Sequence, residues 1–250
     1  MAASHKAGGR GTDVSRETSR GGDPEQIGIA ASRIVADEVV RLGAAVSSPF
    51  LSRIRKMTEM LAAWGAKTSL TASPDDPAEL AFHVIDSLMP LVIAGREGPA
   101  ALARVFTAGH EALDIGSGAG FPGLVLASAS PAHFTLVESR RKRASFLSIT
   151  AEELGLFDTT IRADRVSPSA FQPEYDLVMT RALGEAGDFH SIARAALRRG
   201  GFAMLYAGPK QGAAIAGESI AGFDDPANLP YELDRRGEKI KRIAIVWRRT

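Results

Sequence analysis

ALDIGSGAGFPGLVLA, Ala112 to Ala127, decides the fold. An apolar run stops at an acid, crosses four glycines and turns apolar again. Glycine takes positive φ at no steric cost and lets a ligand approach the backbone closely. The stretch therefore reads as a strand, a ligand-holding loop and the start of a helix. Two frames compete for its glycines. Gly118-Ala-Gly120-Phe-Pro-Gly123 matches G-x-G-x-x-G, the dinucleotide pattern. In that pattern the first glycine follows directly on the strand, and here that residue is Gly116. Counted from Gly116, the third position is Phe121, too large for the close helix–strand packing of a dinucleotide site. The frame that fits is Asp114-Ile-Gly116-Ser-Gly118-Ala-Gly120, an acid at the strand end and a glycine at every second residue.

That frame suits S-adenosyl-L-methionine (SAM). Asp114 is placed to accept from the methionine ammonium, directly or through water. The methionine carboxylate would meet N–H groups of the loop or of the helix opened by Phe121-Pro122. A tight strand–helix turn without ligand is the alternative. Glu138 closes the next strand, about two dozen residues on, where a carboxylate accepts ribose hydroxyls in dinucleotide and SAM sites alike. Arg162-Ala163-Asp164 ends the third strand; Asp164 could accept an adenine amino group while Ala163 leaves room for the ring, or it is an ordinary loop acid.

Outward from the loop, strands are expected near 111–115, 133–138, 159–163, 175–180 and 201–207. Helices should begin near Phe121, Arg140 and Gly187, with another after Gln211. This alternation predicts a parallel sheet covered on both faces. LPYELDRRGEKIKRIAIVWRR reads as two strands joined around Gly237, a hairpin. The fold class is thus α/β, resembling the SAM-dependent methyltransferase variant of the Rossmann-like sheet with a terminal antiparallel hairpin, over 109–250. Upstream, 24–108 reads as a small helical lobe. There Ser48 is the expected N-cap before Pro49, Phe50, Ile54, Met57, Leu61 and Trp64 form one apolar stripe, and Gly65 closes the helix. Asp76 and Pro77 open the next helix in the same way. Residues 1–23, rich in Gly, Ser and Arg, carry too little apolar surface to offset ordering entropy and are expected to be a disordered tail.

Bulk properties narrow the function. A net charge of +1 supports no strong overall field, so nucleic-acid contact must come from local patches. Having no cysteine excludes disulfides and thiolate chemistry and suits a reducing compartment. No apolar run approaches the ~18 residues of a membrane span, and no signal-peptide core follows Met1. A cytoplasmic chain with no membrane partner is expected.

LDIGSGAGFPGLVLA, FTLVESRRKRASFL, RADR, YDLVMTRAL and MLYAGPK, with KTSLTA and HVIDSLMPL upstream, resemble the RsmG (GidB) family in order and spacing. The resemblance covers about Trp64 to Lys210, and GFPG followed by ESxxKRxxFL is its most specific part. Glu138 stands where that family often has Asp, and Ser69 where Asn is common. The resemblance implies a transferase that methylates N7 of one guanine in small-subunit (16S) ribosomal RNA, with SAM contacts at Gly116, Phe121, Ala163, Asp164 and Arg181. Guanine N7 has a free lone pair and needs no base, so such a site must orient its reactants and exclude water. His83, Asp86 and Ser87 share one helix face; with Arg181 they are positioning candidates beside the cofactor, or His83 and Asp86 simply satisfy each other. Arg181 is suited to a cofactor carboxylate or an RNA phosphate. Arg140, Arg141 and Arg143 open a helix at the end its dipole disfavours for cations, which RNA phosphate would offset; a solvated face is the alternative. Lys210 is expected to reach RNA from a mobile loop. The partner would be rRNA or the ribosomal particle, the enzyme a monomer needing no metal. A methyltransferase of small molecules would lack the basic surface, and a non-catalytic RNA-binding protein would bind SAM without turnover.

Overall fold

The computed structural model describes residues 22–44, 46–94, 99, 101–181, 186–215 and 217–250. The expected tail thus lies outside the described residues except for Gly22 and Asp23, and Asp23 belongs to the fold. Its side chain accepts from the Glu25 N–H at 3.1 Å and caps α1, Pro24–Leu42. Two more helices follow, α2 (Phe50–Thr68) and α3 (Pro77–Ala94). Then come β1 (Glu111–Ile115), α4 (Gly123–Ala129), β2 (His133–Val137), α5 (Arg141–Glu153), β3 (Thr159–Arg162) and β4 (Tyr175–Arg181). The chain closes with α6 (Ala186–Ala196), β5 (Leu197–Ala207), α7 (Pro209–Ile215), β6 (Ala227–Arg235) and β7 (Glu238–Arg248).

The seven strands form one sheet in the order β3-β2-β1-β4-β5-β7-β6. β1 to β5 run parallel, and β7 is antiparallel to both β5 and β6. Arg236 and Gly237 both take positive φ, 57° and 82°, as a two-residue hairpin turn requires. The expected sheet and hairpin are therefore present. One continuous hydrophobic cluster joins Ile27, Val35, Phe50 and Leu61 of the N-terminal helices to Phe134, Leu136 and Met204 on one sheet face. A second cluster, including Phe189, Ile192 and Trp247, covers the other.

Two local readings are corrected. Ser48 does not cap α2: Pro49 occupies the cap position without a side-chain bond, and the helix runs through Gly65 to Thr68, where Ser69 takes φ 47°. Gly65 is needed for closeness, because a Cβ there would collide with the ring of Pro74. Asp76 does cap α3, accepting from the N–H groups of Ala78 at 3.0 Å and Glu79 at 3.4 Å. α3 has the length of a membrane span, though Glu79, His83 and Asp86 interrupt its apolar sequence. It has 18 residues with a mean hydropathy of 1.4, but 78% of it is buried inside the fold. Its apolar surface is used by the core.

Gly65→Ala separates propensity from packing. Alanine in a helix interior should gain about 1 kcal/mol over glycine. Overpacking against Pro74 should cost roughly 1–3 kcal/mol, so urea unfolding is expected to show net destabilisation. A stabilised variant would make Gly65 a plain helix weakness.

Candidate functional site

β1 is where the sheet order reverses: the chain runs out through β2 and β3, then returns to place β4 on the other flank of β1. Ligands of open α/β sheets bind at the carboxyl ends of strands at such a switch point. The glycine loop leaves β1 there and Arg181 ends β4, with Asp114 registered against Met179 and the Thr180 hydroxyl donating to Ile115 O at 2.8 Å.

Gly116, Gly118 and Gly120 take φ of 73°, 56° and 94°, the left-handed region that the alternating glycines predicted. A Cβ on Gly116 would meet nothing within 4 Å, so this part of the loop faces open space. Asp114 lies beneath the loop, fully buried; its Oδ2 accepts from the Gly123 N–H at 3.1 Å. Burial pushes its carboxyl up to about 6. Leu124 N–H bonds Gly120 O at 2.9 Å. The first two N–H groups of α4, those of Gly123 and Leu124, are thus bonded within the protein, which leaves the loop as the other place expected for a methionine carboxylate. Gly123 supplies the close helix–strand contact, since a Cβ on it would lie 2.6 Å from Asp114 Oδ2 and 2.8 Å from Leu136 Cγ. That role was legible as the third glycine of the frame set aside.

Glu138 follows directly on β2, at the strand end where it was expected. Its carboxylate accepts from the N–H groups of Gly118 at 3.0 Å and Arg140 at 2.8 Å, tying the loop to the end of β2. Ribose hydroxyls would have to share those oxygens. Ala163 and Asp164 stand exposed beyond β3, Asp164 3.6 Å from Arg162.

Two cavities meet at this edge. One, of about 260 Å³, is lined by Gly116, Gly118 and Phe121 of the loop, Thr71, Arg143, His83 and Arg181. The other, of about 240 Å³, is lined by His83, Asp86, Arg181, Tyr206, Gly208, Gln211, Tyr231 and Arg242. His83 and Arg181 belong to both. Thr71 Oγ1, His83 Nδ1 and Asp114 Oδ1 are buried with no hydrogen-bond partner among the described residues. Unpaired buried polar atoms are costly. Thr71 and His83 line the loop cavity, where theirs fit a polar ligand such as SAM, whereas Asp114, expected to meet the methionine ammonium, is sealed beneath the loop and lines neither cavity.

The two candidates from α3 behave differently. His83 packs against Phe121, ring centroids 5.3 Å apart. Burial, and then the nearby Arg181 guanidinium, lower its pKa to about 4, so it is neutral near pH 7. Asp86 does not pair with His83. Its Oδ1 accepts from the Tyr231 hydroxyl at 2.8 Å, its Oδ2 from Arg181 Nη1 at 3.4 Å, and Arg242 Nε lies 3.7 Å away. Arg181 also sits 5.2 Å from the centroid of Phe121. Its first partner is therefore a protein carboxylate.

The basic run divides. Arg140 and Arg141 are exposed. Arg143 turns inward, lines the loop cavity and donates to Ser69 O at 3.1 Å, at the carbonyl end of α2. The negative end of the α2 dipole offsets that cation, so Arg143 has a partner within the protein and needs no RNA phosphate to account for its position. Lys210 lies exposed on the first turn of α7, not on a loop. Tyr206, Tyr231 and Arg242 were missed, although strand alternation offers a signal: Arg181 registers against Tyr206, and Tyr231 against Arg242.

Comparison with known proteins gives a consistent result. A family model described as rRNA small subunit methyltransferase G (GidB) matches residues 51–221. The chain is 35% identical over 166 residues to the ribosomal RNA small subunit methyltransferase G of Laribacter hongkongensis, covering 65% of this chain and 73% of that protein. The protein of the same name from Gluconobacter oxydans is 31% identical over 197 residues, 78% of this chain and 94% of its own length. That from Nitrosospira multiformis is 29% identical over 224 residues, 86% and 96%.

The two shifted groups oppose each other in the free protein. His83, lowered from 6.5 to about 4, makes stability rise with pH across that window, because the unfolded chain there binds the extra proton. Asp114, raised from 3.8 to about 6, makes it fall, because the folded chain holds the proton. Between pH 4 and 6 the two slopes should nearly cancel. Denaturation across that range is expected to show stability falling with pH in His83→Gln and rising in Asp114→Asn. Parallel profiles in both variants would contradict these environments.

Proposed function

We propose, from the premise that the chain belongs to the rRNA small subunit methyltransferase G (GidB) family, that it transfers the methyl group of SAM to N7 of a guanine in small-subunit ribosomal RNA. The observation that carries this reading is the pair of cavities sharing His83 and Arg181. The glycine-loop cavity would hold SAM, through Gly116, Gly118 and Phe121, with Asp114 and Glu138 fixing the loop from beneath and beside. The second would hold the acceptor base, so the two reactants meet at the shared wall.

SAM supplies an electrophilic methyl on a sulfonium. The residues here need only align an existing lone pair with it and keep water out. His83 is suited to that wall because a neutral imidazole adds no positive charge beside a sulfonium. Arg181 is held by Asp86 and the Phe121 face, which fixes its planar fork at the junction. Arg140, Arg141 and Lys210, exposed near the ends of the strands, are the candidate phosphate contacts. A chain acting on ribosomal RNA works where ribosomes assemble, in the cytoplasm.

Methyl transfer from labelled SAM to small subunits, naked rRNA and small acceptors should label RNA and yield 7-methylguanosine on digestion. Label confined to small acceptors would contradict the reading. In the same assay, single-turnover rates of His83→Gln should fall without loss of a basic limb, since no base is needed. The double variant Arg140→Gln/Arg141→Gln should keep SAM affinity and flatten the slope of log K against log salt by roughly one to two. An unchanged slope would make this pair a solvated face.

A further inference from the structure

The family match ends at residue 221, yet the acceptor cavity is closed by two residues beyond it, Tyr231 and Arg242. They sit opposite each other on β6 and β7. The hairpin carrying them is bound to α3 at its tip: Arg235 donates to Glu79 at 2.7 Å and 2.5 Å, and Arg236 pairs with Asp76. It is a fixed wall of the cavity.

The chemistry of that wall is donor-rich. Both oxygens of Asp86 are engaged by the protein, and the Tyr206 hydroxyl donates to Ser87 O at 3.1 Å. Arg181 is committed to Asp86 and Phe121 at the cofactor side. Arg242 is less committed. Asp86 holds it by charge at 3.7 Å, the Phe82 ring lies 5.6 Å from its guanidinium carbon, and its buried Nε has no hydrogen-bond partner among the described residues. Its Nη1 reaches the Gly208 side of the cavity, 3.7 Å from where a Cβ on that glycine would lie.

Guanine offers two acceptors and no donor on the edge carrying N7, namely N7 and O6; adenine offers an amino donor in place of O6. N7 must stay free for the methyl group, which leaves O6 as the recognisable atom. We infer that Arg242 is a specificity residue, donating to O6 of the target guanine and turning adenine away by facing its amino group with a guanidinium. This rests on the guanine-N7 reading above. A site built to bond a polar group discriminates strongly against an analogue lacking it, because its own buried donors go unpaired.

The test is a cycle of enzyme and substrate changes. Small-subunit rRNA is assembled by ligation with guanosine, or with 2-aminopurine riboside, at the methylated position. The latter keeps N7 and lacks O6. Wild type should methylate guanosine at least tenfold faster under single turnover. In Arg242→Gln the guanosine rate should fall until the two substrates differ by less than threefold, with Arg242→Lys in between and SAM affinity unchanged in both. The intrinsic difference between the bases cancels in this comparison. If Arg242→Gln binds SAM normally and keeps the wild-type preference, the assignment is overturned. If wild type methylates neither RNA, free or assembled into small subunits, the guanine-N7 reading itself fails.

Discussion

A single buried carboxylate, Asp86, organises the cavity between α3 and the terminal hairpin. Its side chain is 4% exposed, and a charge taken that far from water needs partners. It finds them on three elements distant in sequence: Arg181 on β4, Tyr231 on β6 and Arg242 on β7. Satisfying it therefore fixes the end of the parallel sheet and the terminal hairpin against α3. The two arginine side chains, 22% and 29% exposed, are drawn to the cavity walls. Buried polar networks of this kind rigidify the elements that meet at them, although the Arg242 Nε in this one is held by charge without a hydrogen bond among the described residues.

The glycine loop is built in the same way. Asp114 takes the Gly123 N–H and Glu138 takes that of Gly118. Two acids thereby hold the glycine loop from below and from the side, leaving its outer surface for a ligand. The loop is thus shaped before any ligand arrives, which lowers the ordering cost of binding. Gly123 lets α4 descend onto β2, bringing Phe121 to the cleft between His83 and Arg181.

What the sequence made legible was local. The glycine alternation, the Asp76 cap and the Gly237 turn are each written in neighbouring residues, and the structure contains all three. Gly65 misled because a helical glycine can mark a stop or a close approach, and the Pro74 ring that decides lies on the next loop. The partners of Asp86 are 95 and 145 positions away for Arg181 and Tyr231, so no spacing rule could pair them. Arg143 was grouped with its basic neighbours because its partner, Ser69 O, is brought close only by the packing of α2 and α5. Charge runs report composition; only the fold says which member turns inward.

The Asp86 charge holds the hairpin guanidinium at the cavity wall, and a stability cycle measures this directly. Asp86→Asn keeps the shape and an acceptor for Tyr231 while leaving two cations unpaired. Its cost should fall below the roughly 3–5 kcal/mol of a fully buried pair, because both guanidinium groups keep some solvent. Denaturant unfolding of Asp86→Asn, Arg242→Gln and the double variant should show the double variant less destabilised than the sum by about 1 kcal/mol or more. Additive losses would mean that Asp86 and Arg242 do not hold each other, and the account of the cavity would be wrong.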